Sequence, residues 1–333
     1  MLRSFDAGVS GLKVNQVKLD VLGNNIANVG TTAFKSSRVR FEDMVSQSIA
    51  GPTAPGASQG GVNSKQIGLG VQVSGIDTMV AQGAMQPTSR KLDVAIDGEG
   101  YLMVAGGTVP TTNAGGVTVD RAKHTVTAPG GMKLSYTRDG ALTLDEAGNL
   151  LNSDGLRVLG YSVSDNTNAS LTYSGGQPIS KFVDANSTNL KPSSTLIPLV
   201  IPDEIGGSRI ASYSIEKDGQ IKATLEGGKV AVIGQIATAS FKNSAGLSKI
   251  GGNLFQNTLN SGEAVVKSGV GTAAATDNSA GYGEMLSGML EMSNVDLAEQ
   301  FTDMIIAQRA FQASGKSITT GDEMLQELIG LKR

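Results

Sequence analysis

Apolar residues recur every seven positions at both ends of this chain, and that spacing constrains the fold more than anything between them. Near the N-terminus the series is Phe5, Leu12, Leu19 and Ile26; near the C-terminus it is Leu297, Met304, Phe311, Ile318 and Leu325. Each has a companion series three or four residues away: Leu2, Val9, Gln16 and Gly23, and Phe301, Gln308, Gly315, Asp322 and Ile329. This 3-4 spacing puts both series on one stripe of an α-helix, the a/d seam through which helices pack on helices. Val14, Val17 and Val21 form a second stripe roughly opposite the first, so the N-terminal helix needs partners on two sides. The candidate packing residues are therefore the two heptad series, these three valines, Phe301 and Ile329. The first helix is expected from about Leu2 to Asn28, stopped at Gly30; the last should start between Gly283 and Ser293 and run to the chain's end.

Composition narrows what such ends can serve. The 333 residues suffice for two or three compact units. A net charge of −3 supplies no basic field for nucleic acid. With no cysteine there are no disulfides, thiolate nucleophiles or Cys-based metal sites, and a single histidine, His124, argues against a His-based triad or metal cluster. Glycine reaches 44 residues, aromatics are 4% and there is no Trp, a β-rich and turn-rich balance without one large aromatic anchor. No apolar run approaches the ~18–20 residues of a membrane span, so no membrane insertion is expected. The opening Met1-Leu2-Arg3-Ser4-Phe5-Asp6 lacks the pattern of a cleaved secretory signal.

Between the ends the period changes. After Phe34-Lys35 and a short apolar stretch (Val39, Phe41, Met44, Val45), a Gly/Pro-rich run opens at Gly51, so 31–65 reads as an extended linker. From Ile67 alternation sets in: Val71 and Val73; Leu92 to Ile96 before Asp97-Gly98; Leu134 and Tyr136 before Asp139-Gly140; Asp154-Gly155 before Leu156 and Val158. Tyr213 and Ile215, Asp218-Gly219, Ile221 to Leu225, Gly227-Gly228 and Val230 to Phe241 continue it. Asp-Gly between alternating segments predicts hairpins of an antiparallel domain. Residues 105–131 read as an inserted hairpin or long loop, 164–208 as an outer lobe or surface excursion, and 246–283 as a second Gly/Ser/Asn-rich linker.

Candidate chemistry is thin. Asp93, Asp97 and Glu99 could form an acid/base pair, but carboxylates at Asp-Gly turns are turn chemistry by themselves. Gly68-Leu69-Gly70 and Gly98-Glu99-Gly100 complete no phosphate-binding motif. Asp165-Asn166-Thr167-Asn168 lacks the glycine and terminal glutamate of a calcium loop, and His124, between Arg121 and Thr125, reads as an exposed loop residue. No catalytic, cofactor or metal site is expected. The heptads could still pair within one chain and cap a globular domain. Against that as the whole account, burying nine apolar residues falls well short of the cost of ordering two long helices, and the seam has gaps at Gln16, Gly23, Gln308, Gly315 and Asp322. Side-by-side copies would bury the second stripe as well.

Asn24-Asn25-Ile26-Ala27-Asn28, followed by Thr31-Thr32-Ala33-Phe34-Lys35, resembles the N-terminal motif of the bacterial flagellar rod and hook axial family. Ser293-Asn294-Val295-Asp296-Leu297-Ala298 through Ile305 to Phe311 is similar to that family's other end, and Gly68 to Val71, Leu92 to Ile96, Tyr136 to Gly140 and Gly234 to Phe241 are similar to its interior. Within the family, Val295 to Met304 and the ending Asp322 to Leu328 look more like the hook subunit than the distal rod subunit. The stretches 105–131 and 164–208 match no shared motif.

The resemblance implies a non-enzymatic structural subunit, exported unfolded by the flagellar type III apparatus without a cleaved signal peptide. It would homopolymerise outside the cell into a bendable hollow tube that transmits torque, in contact with distal rod, hook cap and hook–filament junction proteins. The expected fold is α+β: terminal helices (1–30 and 284–333) pairing as a coiled-coil-like inner polymerisation domain, and an antiparallel β-rich middle (66–163 and 209–283). The distal rod protein is the alternative; a surface-binding, adhesin-like β protein on a helical stalk is the alternative of a different class.

Overall fold

The computed structural model describes residues 2–56, 60–108, 110, 112–120, 123–165, 167–187, 190–267 and 282–331, without the side chains of Leu2 and Arg3. The Leu2 side chain of the first seam, Arg121, Asn166 and residues 268–281 of the second linker thus lie outside the described residues. The chain divides into two units: unit 1 comprises Met1–Gly30, Lys35–Met79 and Val295–Arg333, and unit 2 comprises Thr31–Phe34 and Val80–Asn294.

Unit 1 holds both long helices, α1 (Leu2–Ala27) and α2 (Leu297–Gly330). The side chain of Asp296 caps α2 by accepting from the amides of Ala298 (2.8 Å) and Glu299 (3.3 Å), which fixes where the helix can begin. The expected linker 31–65 is a correction. Strand Ser37–Asp43 pairs antiparallel with Val71–Thr78, and Ser46–Ala50 with Lys65–Gly68. Apolar cross-strand pairs, Val39 with Ile76 and Phe41 with Val73, stabilise the first pairing. Between the strands of the second, Thr53 and Val62 of the Gly/Pro-rich run form a further antiparallel bridge.

The start of α2 is a second correction. Glu284–Ser287 and Met289–Glu291 are strands, paired with Val94–Asp97 and Met85–Pro87. Gly288, at φ 73°, breaks any helix there, and Met285 and Glu291 point into unit 2.

Unit 2 is built on one sheet of 16 strands among the described residues, every pairing antiparallel. Strand Tyr101–Gly107 lies inside it and is buried on both faces. Leu102 and Val104 join a core with Leu150, Val158, Leu199 and Ile233; Tyr101, Met103 and Ala105 join another with Leu159, Tyr161 and Leu196. In place of a tryptophan, Tyr101, Tyr136, Phe241 and Phe255 meet edge to face with ring centroids 4.8–5.8 Å apart.

Asp154-Gly155, Asp218-Gly219 and Gly227-Gly228 turn between paired strands as expected, with Gly155, Gly219 and Gly228 at positive φ. Asp97-Gly98 and Asp139-Gly140 do not form hairpins. Val94–Asp97 pairs with the late strand Glu284–Ser287, and Met132–Thr137 with Tyr101–Gly107 and Leu254–Gln256. Gly140 serves close approach: a Cβ there would stand 1.6 Å from the carbonyl oxygen of Val94.

Of the two stretches read as insertions, 105–131 does hold a hairpin, Val117–Val119 with Val126–Thr127, but both stretches belong to the main sheet rather than standing apart from it. Val117–Val119 and Lys191–Pro198 pair with each other, and the latter pairs with Arg157–Ser164 inside the sheet. Val117, Leu196, Ile197, Leu199 and Val200 are fully buried. Their surroundings of Ser, Thr, Asn and Gly mask strands whose apolar runs are short.

Candidate assembly surface

α1 and α2 run antiparallel, and small residues carry their closest approach. A Cβ on Gly321 would lie 3.0 Å from the Phe5 ring, one on Gly8 2.9 Å from Ile318, and one on Gly11 2.9 Å from Ser314 Oγ. Further along, Lys18 Nζ stands 3.5 Å from Asp303 Oδ1, and Asn25 Nδ2 donates to Gln300 Oε1 at 2.9 Å. Gln300, Ala307, Ser314 and Gly321 are themselves seven apart, so the seam of α2 lies one residue earlier than the predicted companion series. Small residues at that spacing were a visible signal, but an apolarity scan passes over them.

That shift decides where the predicted packing residues sit. Ile318 and Phe5 take part in the contact, and both are partly buried, as are Met304 and Leu325 on α2 and Leu12, Leu19 and Ile26 on α1. Leu297, Phe301, Phe311 and Ile329 remain exposed, Phe301 at 50% and Ile329 at 70%. Ile305 and Ile306 join them at 59% and 56%. Large apolar side chains thus line α2 outside its contact with α1.

The second stripe of α1 finds an occupant within the chain. Ser10 precedes Val14, Val17 and Val21 on that face, and its Oγ accepts from the Val71 amide at 3.3 Å. At the other end of the face Asn25 bonds both the carbonyl and the amide of Ser37, at 2.9 and 3.0 Å. The strands Ser37–Asp43 and Val71–Thr78 therefore lie along it; Val14 is buried, and Val17 and Val21 are partly so.

The residues weighed for chemistry have structural roles. Asp93 is buried, takes the Thr88 hydroxyl at 2.8 Å and faces Arg90 at 3.5 Å, so it is a core carboxylate rather than a turn residue. Asp97 accepts from Gln82 at 3.0 Å. Asp165 takes the amides of Asn168 and Thr167, which hold its carboxyl below the usual range. His124 is a second departure: half-buried and left-handed at φ 56°, it passes its carbonyl to the Val266 amide at 2.8 Å. Among the described residues there is no group of three or more acidic, His or Cys side chains placed to hold a metal, and no helix long and apolar enough to cross a membrane.

Sequence reasoning missed one ionic element. Arg138 and Glu291 are buried together, with Nε 3.2 Å from Oε2. Arg138 also donates to the carbonyls of Ile96 and Gly98, and Glu291 Oε1 accepts from the Gly83 amide at 2.9 Å. Neither residue stands out by spacing, because 153 positions separate two ordinary charges.

Three family descriptions match the chain: flagella basal body rod protein over residues 5–35, flagellar hook protein FlgE/F/G D1 domain over 124–223, and flagellar basal body rod FlgEFG protein C-terminal over 286–331. The chain is 42% identical to the flagellar basal-body rod protein FlgG of Bacillus subtilis over 333 residues, covering all of both chains. It is 32% identical to the flagellar hook protein FlgE of Borreliella burgdorferi over 449 aligned residues, again covering all of both. A solved structure, the Helicobacter pylori flagellar hook protein FlgE2, is similar over 52% of this chain and 32% of that one, at 20% identity and a TM-score of 0.22, too low to bear on the fold. The three family matches and the two full-length relatives define a class of axial structural proteins of the flagellum. The chain belongs to the flagellar hook and basal-body rod family.

Proposed function

We propose that this chain is a structural subunit that polymerises with itself into the axial tube of the flagellum, the helices of unit 1 packing side by side with those of neighbouring copies. The observation that carries this is the outward apolar surface of α2, at Leu297, Phe301, Ile305, Ile306 and Ile329. Large apolar residues along a helix that already has one partner mark a second interface. Gly23 and Gly315 add support: each lies inside a helix, at a cost of about 1 kcal/mol relative to Ala, yet a Cβ on either would meet nothing within 4 Å in this chain. Backbones of adjacent copies can approach closely at such positions. Coiled-coil-like packing, export unfolded by the type III apparatus, and contacts with hook cap or junction proteins belong to this reading. It involves no catalytic step.

Two places on the axis are open to such a subunit. The stretches Val295 to Met304 and Asp322 to Leu328 favour the hook. The distal rod is favoured by length: the rod relative aligns over 333 residues with full coverage of both chains, whereas the hook relative requires 449 positions. Electron microscopy of the purified, assembled protein separates them, since curved, bendable tubes indicate hook and straight, rigid ones rod. Phe301→Asp tests the shared part: it should abolish tubes while the monomer folds normally, and normal tubes would overturn the proposal.

A further inference from the structure

Residues 283–292 stand near the end of unit 2, and they pair with its beginning. Among the described residues, strands Val94–Asp97 and Met85–Pro87 have no strand partners except Glu284–Ser287 and Met289–Glu291. Backbone bonds continue between and beyond these two ladders. The Gly288 amide donates to Asp93 O at 2.7 Å, and its carbonyl accepts from the Thr88 amide at 2.6 Å. The Gly283 amide donates to Glu99 O at 2.9 Å and the Met292 amide to Ala84 O at 2.8 Å.

The same segment completes the core. Met285 is buried in the larger apolar cluster, and its amide donates to Lys217 O at 2.8 Å. Glu291 supplies the carboxylate that faces buried Arg138, whose guanidinium also holds the carbonyls of Ile96 and Gly98. Val94, Ala95 and Ile96, with which the segment pairs, are at most 2% exposed.

We propose that residues 283–292 act as a closing strap, and that unit 2 has no stable folded state until they dock. Without them the buried strand Val94–Asp97 loses its ladder, and a buried backbone group without a partner is costly. Arg138 would lie in the core without its carboxylate, which is costlier still. Partners in the two ladders are 187 positions apart (Glu284 with Asp97) to 206 apart (Glu291 with Met85). Local hairpins such as that at Asp218-Gly219 therefore form sooner, yet cannot by themselves finish the core. The strap makes the fold of unit 2 conditional on a nearly complete chain. In a subunit that travels unfolded, as the function proposed above supposes, unit 2 stays open until its end arrives; the strap itself does not rest on that reading.

Amide exchange of the full chain, dilute and in urea below the unfolding transition, tests this. The Met285, Gly288 and Met292 amides should exchange with the same free energy and urea dependence as the Leu199 and Ala237 amides, which bond strand Arg157–Ser164. Met285→Ala should speed all five by one common factor, about thirtyfold or more. In pulse-labelled refolding, Leu199 and Ala237 should gain protection no earlier than Met285. Strap amides that exchange sooner and without urea dependence would show the strap opening alone, and would overturn the proposal. A Met285→Ala effect confined to the strap, or a sheet protected first during refolding, would overturn it equally. If Met285→Ala does not fold, exchange and refolding of the unaltered chain decide.

Discussion

The helix pair of unit 1 and the sheet of unit 2 treat their large apolar residues in opposite ways. In unit 2, Leu102, Leu159 and Leu196 are fully buried between the strands of one chain. In unit 1 the helices approach through Gly8 against Ile318, Gly11 against Ser314 and Gly321 against Phe5, while Phe301, Ile305, Ile306, Phe311 and Ile329 of α2 stay exposed. Unit 2 therefore derives its stability from itself. Unit 1 leaves large apolar side chains of α2 exposed, and under the proposed assembly polymerisation rather than monomer folding should be sensitive to that surface.

The largest effects should fall in unit 2. Gly140→Val drives a side chain into the Val94 carbonyl and should cost more than about 4 kcal/mol, read as loss of the cooperative urea transition. Arg138→Met leaves Glu291 buried without its cation and should cost about 3–5 kcal/mol, while Arg138→Met with Glu291→Met should recover most of it. A double variant as unstable as the single one would show that the positions, not the pairing, matter. Leu196→Ala should lower unfolding free energy by about 2–5 kcal/mol.

Alkali offers a probe of unit 2. Burial pushes the Tyr136 and Tyr173 hydroxyls up to about 12 from 10.0. The folded state therefore prefers the neutral phenols: stability is fully present below pH 10 and falls as pH rises from 10 toward 12, where the unfolded chain ionises first. Thermal melts across that window should show the decline, and Tyr136→Phe should make it shallower. At the small end, Phe301→Asp should change monomer stability by no more than about 0.5 kcal/mol. Monomer destabilisation comparable to Leu196→Ala would erase the contrast between the units.

Several elements were legible from residue order. The heptads placed α1 to within a residue, and Asp-Gly or Gly-Gly located three true turns. Asp139-Gly140 misled because glycine answers two needs, positive φ and close approach, and a sequence does not say which applies. Residue order sets the start of α2 too early because Met285, Leu286, Met289 and Leu290 suit a helix locally, while their pairing partners lie 189 to 204 positions away. The candidate surface was half legible: Leu297, Phe301 and Ile329 carry the sevenfold pattern, Ile305 and Ile306 do not, and periodicity does not say which residues face α1.

By itself the sequence determined that two amphipathic helices close the chain at either end, that alternating strands fill the middle, and that thiol and multi-histidine chemistry are absent. Those properties follow from local periodicity and composition, which need no knowledge of distant partners. Tertiary structure decided the rest. Close approach put the small residues Ala307, Ser314 and Gly321, rather than the apolar companion series, beside Met304, Ile318 and Leu325, and so left Phe301 and Ile329 outward. Desolvation drew Arg138 and Glu291 together, because neither charge can be buried without the other.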